Sequence, residues 1–162
     1  MKRDIIIKAG VLIVKHSKLL LIKERRGRDG KYCWNIVKGT FEPEKDRDFV
    51  ETATREAKEE ANASITIKNL LHVLYLKERE RIFIQFNFVA DLVGTRFAVS
   101  PKEKQRTYRK DEDIIDVRLF SKRDLKNMKR AEFMGARAYR AIQDWLKGER
   151  HELGLLKTVN NF

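Results

Sequence analysis

A mixed α/β (α+β) fold is predicted by three features of the sequence. Short apolar runs rich in β-branched residues recur in pairs separated by tight turns. One charged segment of helical period lies between the first strands and the next pair, and a second segment of that period lies near the end of the chain. Strands and helices are thus interleaved along one chain, which is the pattern of a domain with both element types around one core.

Taken in order, Ile5 to Val14 and Leu19 to Lys23 are strands, and His16-Ser17-Lys18 leaves room only for a tight turn, so a hairpin comes first. His16 in that turn is read as structural or solvent-facing. Arg25 to Lys31 (RRGRDGK) holds two glycines and four basic residues and reads as a loop, a candidate contact for phosphate. A short strand follows around Trp34 to Val37. Gly39, directly after Lys38, lets the backbone approach a neighbour closely or take positive φ. Pro43 and the charges after it form an irregular loop, with Asp46 or Asp48 as the helix N-cap. The helix from about Phe49 to Ala61 is expected to bury Phe49, Ala53 and Ala57 and to turn its glutamates away. Asn62 ends it, because asparagine tolerates the left-handed position past a helix terminus.

Ile65 to Lys77 and Arg81 to Val93 make a second hairpin across Glu78-Arg79-Glu80, the later strand alternating Ile82, Ile84, Phe86 and Phe88 with more polar positions. Arg96 to Lys110 contains Pro101, six basic residues, Phe97 and Tyr108, and reads as a flexible basic excursion. Asp111-Glu112-Asp113 precedes a strand from Ile114 to Phe120, and Ser121 caps a short helix through Asn127. A last helix, from about Ala131 to Lys147, puts Met134, Ala138, Ala141, Ile142 and Trp145 on one apolar stripe, which is core. Gly148 to Phe162 has weak periodicity and reads as a tail that frays.

With 162 residues, 42% of them hydrophobic, and no shift in composition, the chain is expected to be one domain over 1–162 with its core at about 5–147. Its apolar runs are too short for a membrane span or a signal peptide, so the expectation is a soluble, cytoplasmic protein. Cys33, the one cysteine, excludes an internal disulfide or a thiolate cluster and reads as a small side chain beside Trp34. The net charge of +12 points to polyanionic partners, nucleotides first and RNA as the alternative. Against that background, Glu42 to Glu60 carries eight acidic and four basic residues, a local net charge of −4.

On a helix, Glu56, Glu59 and Glu60 stand at i, i+3 and i+4 and converge on one side. Such like-charge pairs cost an isolated helix roughly 0.2–0.5 kcal/mol each. An ordinary solvated helix with Arg55 and Glu59 paired at i, i+4 is the bland reading. A divalent cation is the functional one, since it turns the repulsion into a binding site.

The hexamer Arg55-Glu56-Ala57-Lys58-Glu59-Glu60 resembles the REUxEE core of the Nudix box, and Trp34 with Lys38-Gly39 resembles the W-x-x-P-[GK]-G approach of the same family. The resemblance implies a Nudix-type α/β/α sandwich with a mixed sheet. It implies a MutT-like pyrophosphohydrolase acting on a nucleoside diphosphate linked to another group, with Mg²⁺ or Mn²⁺ held by Glu56, Glu59 and Glu60 and by Asp113. Glu56 or Glu59 is the candidate base, and Arg55 completes the catalytic set by holding the loop. Lys38, Gly39, Arg25 and Trp34 are the candidate substrate-binding residues.

Three departures stand out. Gly39 and Arg55 are separated by 15 residues, two more than in the family pattern, so counting back from Arg55 lands on Arg47 where a glutamate is expected. Glu44, Asp46 and Asp48 are then alternatives for the carboxylate that pairs with Arg55. Val37 and Asn62 replace a common proline and glycine. A nucleoside triphosphate or a dinucleoside polyphosphate is the expected substrate; an RNA 5′ end, or nucleotide or RNA binding without turnover, is the alternative.

Overall fold

The computed structural model describes residues 4–102, 104–105 and 113–159. Its sheet is assembled on β1 (Asp4–Lys15), which changes antiparallel partner along its length. The first half pairs with β4 (Val37–Thr40) through Ala9↔Gly39 and Val11↔Val37, and the end pairs with β2 (Lys18–Arg25) through Ile13↔Leu20. On its other edge β1 runs parallel to β6 (Arg81–Leu92), from Asp4↔Arg81 to Val14↔Asp91. β5 (Ile65–Lys77) is antiparallel to β6, while β3 (Tyr32–Asn35) and β7 (Ile114–Phe120) are both antiparallel to β2. The result is a mixed seven-stranded sheet. The first hairpin closes with His16 and Ser17 both at positive φ, 47° and 60°, which gives the turn a twist that matches the strands.

Both faces of this sheet are covered. Ala53, Ala57 and Ala61 of α1 (Phe49–Ala61) are fully buried on one face, against Ala9, Val11, Leu20, Val37 and Phe88. Alanine at these three positions lets the helix backbone approach the strands closely. The opposite face carries Leu12, Leu21, Trp34 and Leu71 and is covered by Leu125 of α2 (Lys122–Asn127) and by Ala141, Ile142 and Trp145 of α3 (Ala136–Leu146). The caps follow the sequence: Asp48 Oδ1 accepts from the Glu51 N–H at 2.8 Å, Asn62 takes the left-handed conformation (φ 47°, ψ 33°), and Ser121 forms a capping box with Asp124.

Three expectations are corrected, and the alternation of β6 gains an orientation. The strand expected around Trp34 to Val37 is two strands, broken at the buried Ile36, because β3 follows β2 and β4 crosses to β1. A continuous apolar run conceals that change of partner. In β6 the polar positions face inward: Gln85 and Asn87 are fully buried, while Ile82, Ile84 and Phe86 are only half-buried. The last helix begins at Ala136 and not at Ala131. Arg130–Glu132 is a 3₁₀ turn, and Phe133 and Met134 run beside β3, where the Met134 N–H donates to Trp34 O at 2.8 Å. Finally, the segment after Gly148 is docked. His151 exchanges both backbone hydrogen bonds with Leu70 of the edge strand, at 2.8 and 3.0 Å, and Leu153 and Leu156 pack on the α1-side core.

In the 96–110 segment, Phe97 and Val99 pack on the core and buried Gln105 bonds to Ser100 and Ile114; Tyr108, with Asp111 and Glu112 beyond it, lies outside the described residues.

Gly10 has a steric function, since a Cβ there would lie 2.3 Å from Asn87 Oδ1. Gly10→Ala should destabilise the protein by about 1–3 kcal/mol, as an overpacked core does. Gly154→Ala, with open space around it, should stay within roughly 0.5 kcal/mol of the wild type in urea unfolding.

Candidate active site

The acidic segment is organised by one guanidinium. Arg55 projects from α1 and meets Asp46 in a two-pronged contact, Nε to Oδ1 and Nη2 to Oδ2, both 2.8 Å. Asp46 Oδ2 also accepts from Thr52 Oγ1 (3.0 Å) and the Glu42 N–H (3.1 Å), and the side chain is completely buried. Among the alternatives left by the sequence, Asp46 is therefore the carboxylate that pairs with Arg55; Asp48 caps the helix and Glu44 is exposed. One of the two additional residues falls before Asp46, in a turn where the Lys45 and Asp46 N–H groups both donate to Glu42 O at 2.8 Å, and the other falls between Asp46 and Arg55. Hydrogen bonding from Arg55 holds the Asp46 carboxyl below the usual range, and Asp46 in turn raises the Arg55 guanidinium.

The remaining Arg55 donors reach forward. Nη2 bonds Thr40 O at 3.2 Å, while Nη1 lies 2.9 Å from Glu56 Oε1 and 3.3 Å from Glu59 Oε2. Two of the clustered glutamates thus share one cationic nitrogen, which offsets the repulsion inherent in their spacing. The Arg55–Glu59 pair of the bland reading exists, as one part of this larger arrangement.

Glu56 and Glu60 are not turned away. They are 5% and 2% exposed, because they flank the alanine face of α1 on the side that packs against β4. Glu60 Oε2 accepts from the Lys38 N–H at 3.1 Å. Glu56 lies so close to Gly39 that a Cβ there would stand 1.7 Å from its Oε1. Close approach, and not positive φ, is what Gly39 provides. Glu59 is more open, with 20% of its side chain exposed, and its carbonyl accepts from Ser100 Oγ at 2.9 Å.

The other site candidates are distributed unevenly. Lys38 Nζ lies 3.5 Å from Glu24, and Glu24 also accepts from Asn35 Nδ2. Neither Glu24 nor Asn35 was singled out by sequence, because one acid ending a strand and one buried amide carry no spacing signal. Asn35 Oδ1 is buried without a hydrogen-bond partner among the described residues. Trp34 belongs to the core on the opposite face of the sheet, edge-on to Phe120 at 4.7 Å, with Lys23 and Arg118 over its ring at 5.4 and 5.7 Å. Arg25 is exposed at the base of a loop that Arg26 and Asp29 close with a 2.6 Å ion pair. Asp113 accepts from Tyr32 Oη at 2.6 Å and lies 3.8 Å from Lys102. The structure therefore gathers Arg55, Glu56, Glu59, Glu60, Lys38 and Gly39 into one place, and it puts Trp34 on the opposite face of the sheet.

Three carboxylates with hard oxygen donors, one of them seated where a Cβ would otherwise stand, suit a Mg²⁺-class cation, and no soft ligand intrudes among the described residues. Comparisons with known proteins identify the family. The NUDIX domain model matches residues 6–142. No curated protein sequence matches. Among solved structures, a Nudix hydrolase from Nitrosomonas europaea is similar at a TM-score of 0.75 and 21% identity, with 98% of each chain covered. A MutT protein from Methanosarcina mazei Go1 is similar at 0.67 and 17% identity, covering 91% of this chain and 96% of the other. An ADP compounds hydrolase is similar at 0.64 and 21% identity, covering 88% and 74%. With the box helix, its arginine and its glutamates in one place and the family model spanning most of the sequence, the chain belongs to the Nudix family of hydrolases, enzymes that act on phosphoric anhydride bonds.

Proposed function

We propose that this chain is a divalent-metal-dependent pyrophosphohydrolase that cleaves a nucleoside diphosphate-linked substrate, a nucleoside triphosphate or a dinucleoside polyphosphate. The observation that carries this reading is the seating of Glu56 and Glu60 against Lys38-Gly39, with Glu59 beside them on the same guanidinium. Mg²⁺ or Mn²⁺ is assigned to Glu56, Glu59 and Glu60. When bound, such an ion neutralises phosphate charge and lowers the pKa of water toward neutrality. The protein's own part is to hold the carboxylates in place. Arg55, anchored by Asp46, fixes Glu56 and Glu59, and the Lys38 N–H fixes Glu60. Glu59, the most open of the three, is the better placed base; Glu56 is the alternative. Lys38 supplies a cation at the rim for substrate phosphate, oriented by Glu24. Asp113, tied to Tyr32 and Lys102, is assigned to the rim and not to the metal set.

A second reading, an RNA 5′ end as substrate or as a ligand without turnover, is favoured by one feature. Arg25, Arg28, Lys31, Lys102 and Lys104 are exposed on the two segments that flank Tyr32 and Asp113, in a chain of net charge +12.

The test is phosphate or pyrophosphate release from a panel of nucleoside triphosphates, dinucleoside polyphosphates and 5′-triphosphorylated RNA, with and without Mg²⁺ or Mn²⁺. Metal-dependent release from at least one nucleotide is expected. Release from RNA alone would select the second reading, and no metal-dependent release from any member would overturn the enzyme assignment.

Glu59→Gln and Glu60→Gln should each lower turnover at least about 100-fold, the upper end of what losing a supporting residue costs, and Asp46→Ala about 10–100-fold. Gly39→Ala should act like a glutamate substitution although it removes no functional group. Circular dichroism and the metal dependence of the rate separate that effect from unfolding.

A further inference from the structure

On the sheet face opposite the candidate active site, buried and half-buried polar side chains form one continuous relay that an exposed arginine, Arg140, closes at one end. Arg137 Nη1 donates to Gln85 Oε1 at 3.0 Å, and Gln85 Nε2 donates to Asn87 Oδ1 at 2.9 Å. Asn87 Nδ2 lies 2.9 Å from His72 Nε2, and His72 Nδ1 lies 2.9 Å from Asp144 Oδ2. Arg140 Nε closes the far end on both Asp144 oxygens, at 2.9 and 2.8 Å. Gln85 and Asn87 are fully buried and Asp144 is 2% exposed.

The ends dictate the direction of every bond. A guanidinium only donates, so Gln85 presents its oxygen to Arg137 and its NH₂ to Asn87. Asn87 then presents its oxygen to Gln85 and its NH₂ to His72. His72 Nε2 must be the acceptor, and its single proton sits on Nδ1, facing a carboxylate that only accepts. We propose that this relay is a proton lock on α3: it holds His72 as the neutral Nδ1–H tautomer, and a second proton on Nε2 undocks the helix from β5 and β6.

A proton on Nε2 would face the Asn87 NH₂. Rotating the Asn87 amide moves the conflict to Gln85, and rotating Gln85 moves it to Arg137, where no further rotation relieves it. The relay has no protonated version with all its contacts intact. Asp144 on α3 and Glu149 just beyond it favour the extra proton on His72, whereas Arg140 on α3 and burial oppose it; His151 meets this strand through the Leu70 backbone. Burial is the largest influence and moves His72 below the ordinary histidine range.

A metal reading of the same cluster fails on the same ground. His72, Asp144 and Glu149 bring ligand atoms within 4.8 Å of one another, but a cation on Nδ1 would put the ring proton on Nε2, against Asn87. Arg140 already occupies Asp144. The lock does bear on the candidate active site. The lead-in to α3, Phe133 and Met134, is bonded to Trp34 of β3, and the chain passes from β3 through Ile36 into β4, which carries Lys38 and Gly39.

The unfolded chain takes up this proton near pH 6.5 and the folded chain only at lower pH, so stability falls as pH drops below about 6.5 and levels off below the folded value. Imidazole ¹⁵N–¹H spectra of the whole protein test the proposal. At pH 7.5 the His72 pattern should be Nδ1–H with a bare Nε2, and Zn²⁺ should leave it unchanged. An Nε2–H tautomer, an imidazolium or a Zn²⁺-shifted ring would overturn the lock. Arg137→Gln supplies an acceptor at the end of the relay and should move the His72 titration up by on the order of one pH unit, whereas Arg137→Lys, still donor-only, should leave it in place. Equal titrations in the two variants would also overturn it. If neither variant folds, the wild-type tautomer decides.

Discussion

The contact between Arg55 and Asp46 is what the acidic half of the molecule depends on. Three glutamates on adjacent turns, two of them nearly buried, would not hold their positions unaided, since burying an unpaired carboxylate costs far more than one helix turn gains. Arg55 compensates only if its own orientation is fixed. Asp46 does this by taking two of its donors in a planar, two-pronged contact, which leaves Nη1 for Glu56 and Glu59. Thr52 and the Glu42 N–H fix Asp46 in turn. Removing one partner of a buried pair costs about 3–5 kcal/mol because the survivor is left uncompensated, so loop, helix and carboxylates stand or fall together.

The same logic explains how two extra residues fit in the loop. What must be conserved physically is a carboxylate within reach of the guanidinium, and not a count of residues. The turn from Glu42 to Asp46 takes up one extra residue, the other lies between Asp46 and Arg55, and Asp46 still reaches the guanidinium. Thr52, one turn ahead of Arg55 on the helix, then bonds the same oxygen as the guanidinium.

Much of the fold was legible because it is local. The hairpins, the span of α1, the Asn62 terminus and the Ser121 cap each follow from residues within a few positions of one another, and the glutamate hexamer is a local pattern as well. What escaped depends on pairings distant in sequence. Asp46 could not be separated from Asp48 or Glu44 until Arg55 was placed, nine residues away. Trp34 reads as part of the approach to the site, yet the alternation of a strand puts it on the opposite face from Asn35. The alternation of β6 does not say which way Gln85 and Asn87 face; their burial is set by His72 and Arg137 on other elements, which no local pattern reveals.

Those two polar positions bring the halves of the molecule together at one point in the sheet. Gly10 and Lys38 are partners across β1 and β4, and Ala9 and Gly39 are the next pair. Gly39 makes room for Glu56 on the α1 face; Gly10 makes room for Asn87 on the α3 face. Neighbouring strands thus give up a side chain each, on opposite sides, so that a polar group from another element can lie directly on the backbone. A sheet so thinned has little apolar surface at that spot to resist distortion. Its shape there must be held by the hydrogen bonds of the groups it accommodates, Glu60 on the Lys38 N–H on one side and the His72 relay on the other. The candidate active site and the buried relay therefore lie against the same stretch of sheet from its two faces, Glu56 at Gly39 and Asn87 at Gly10.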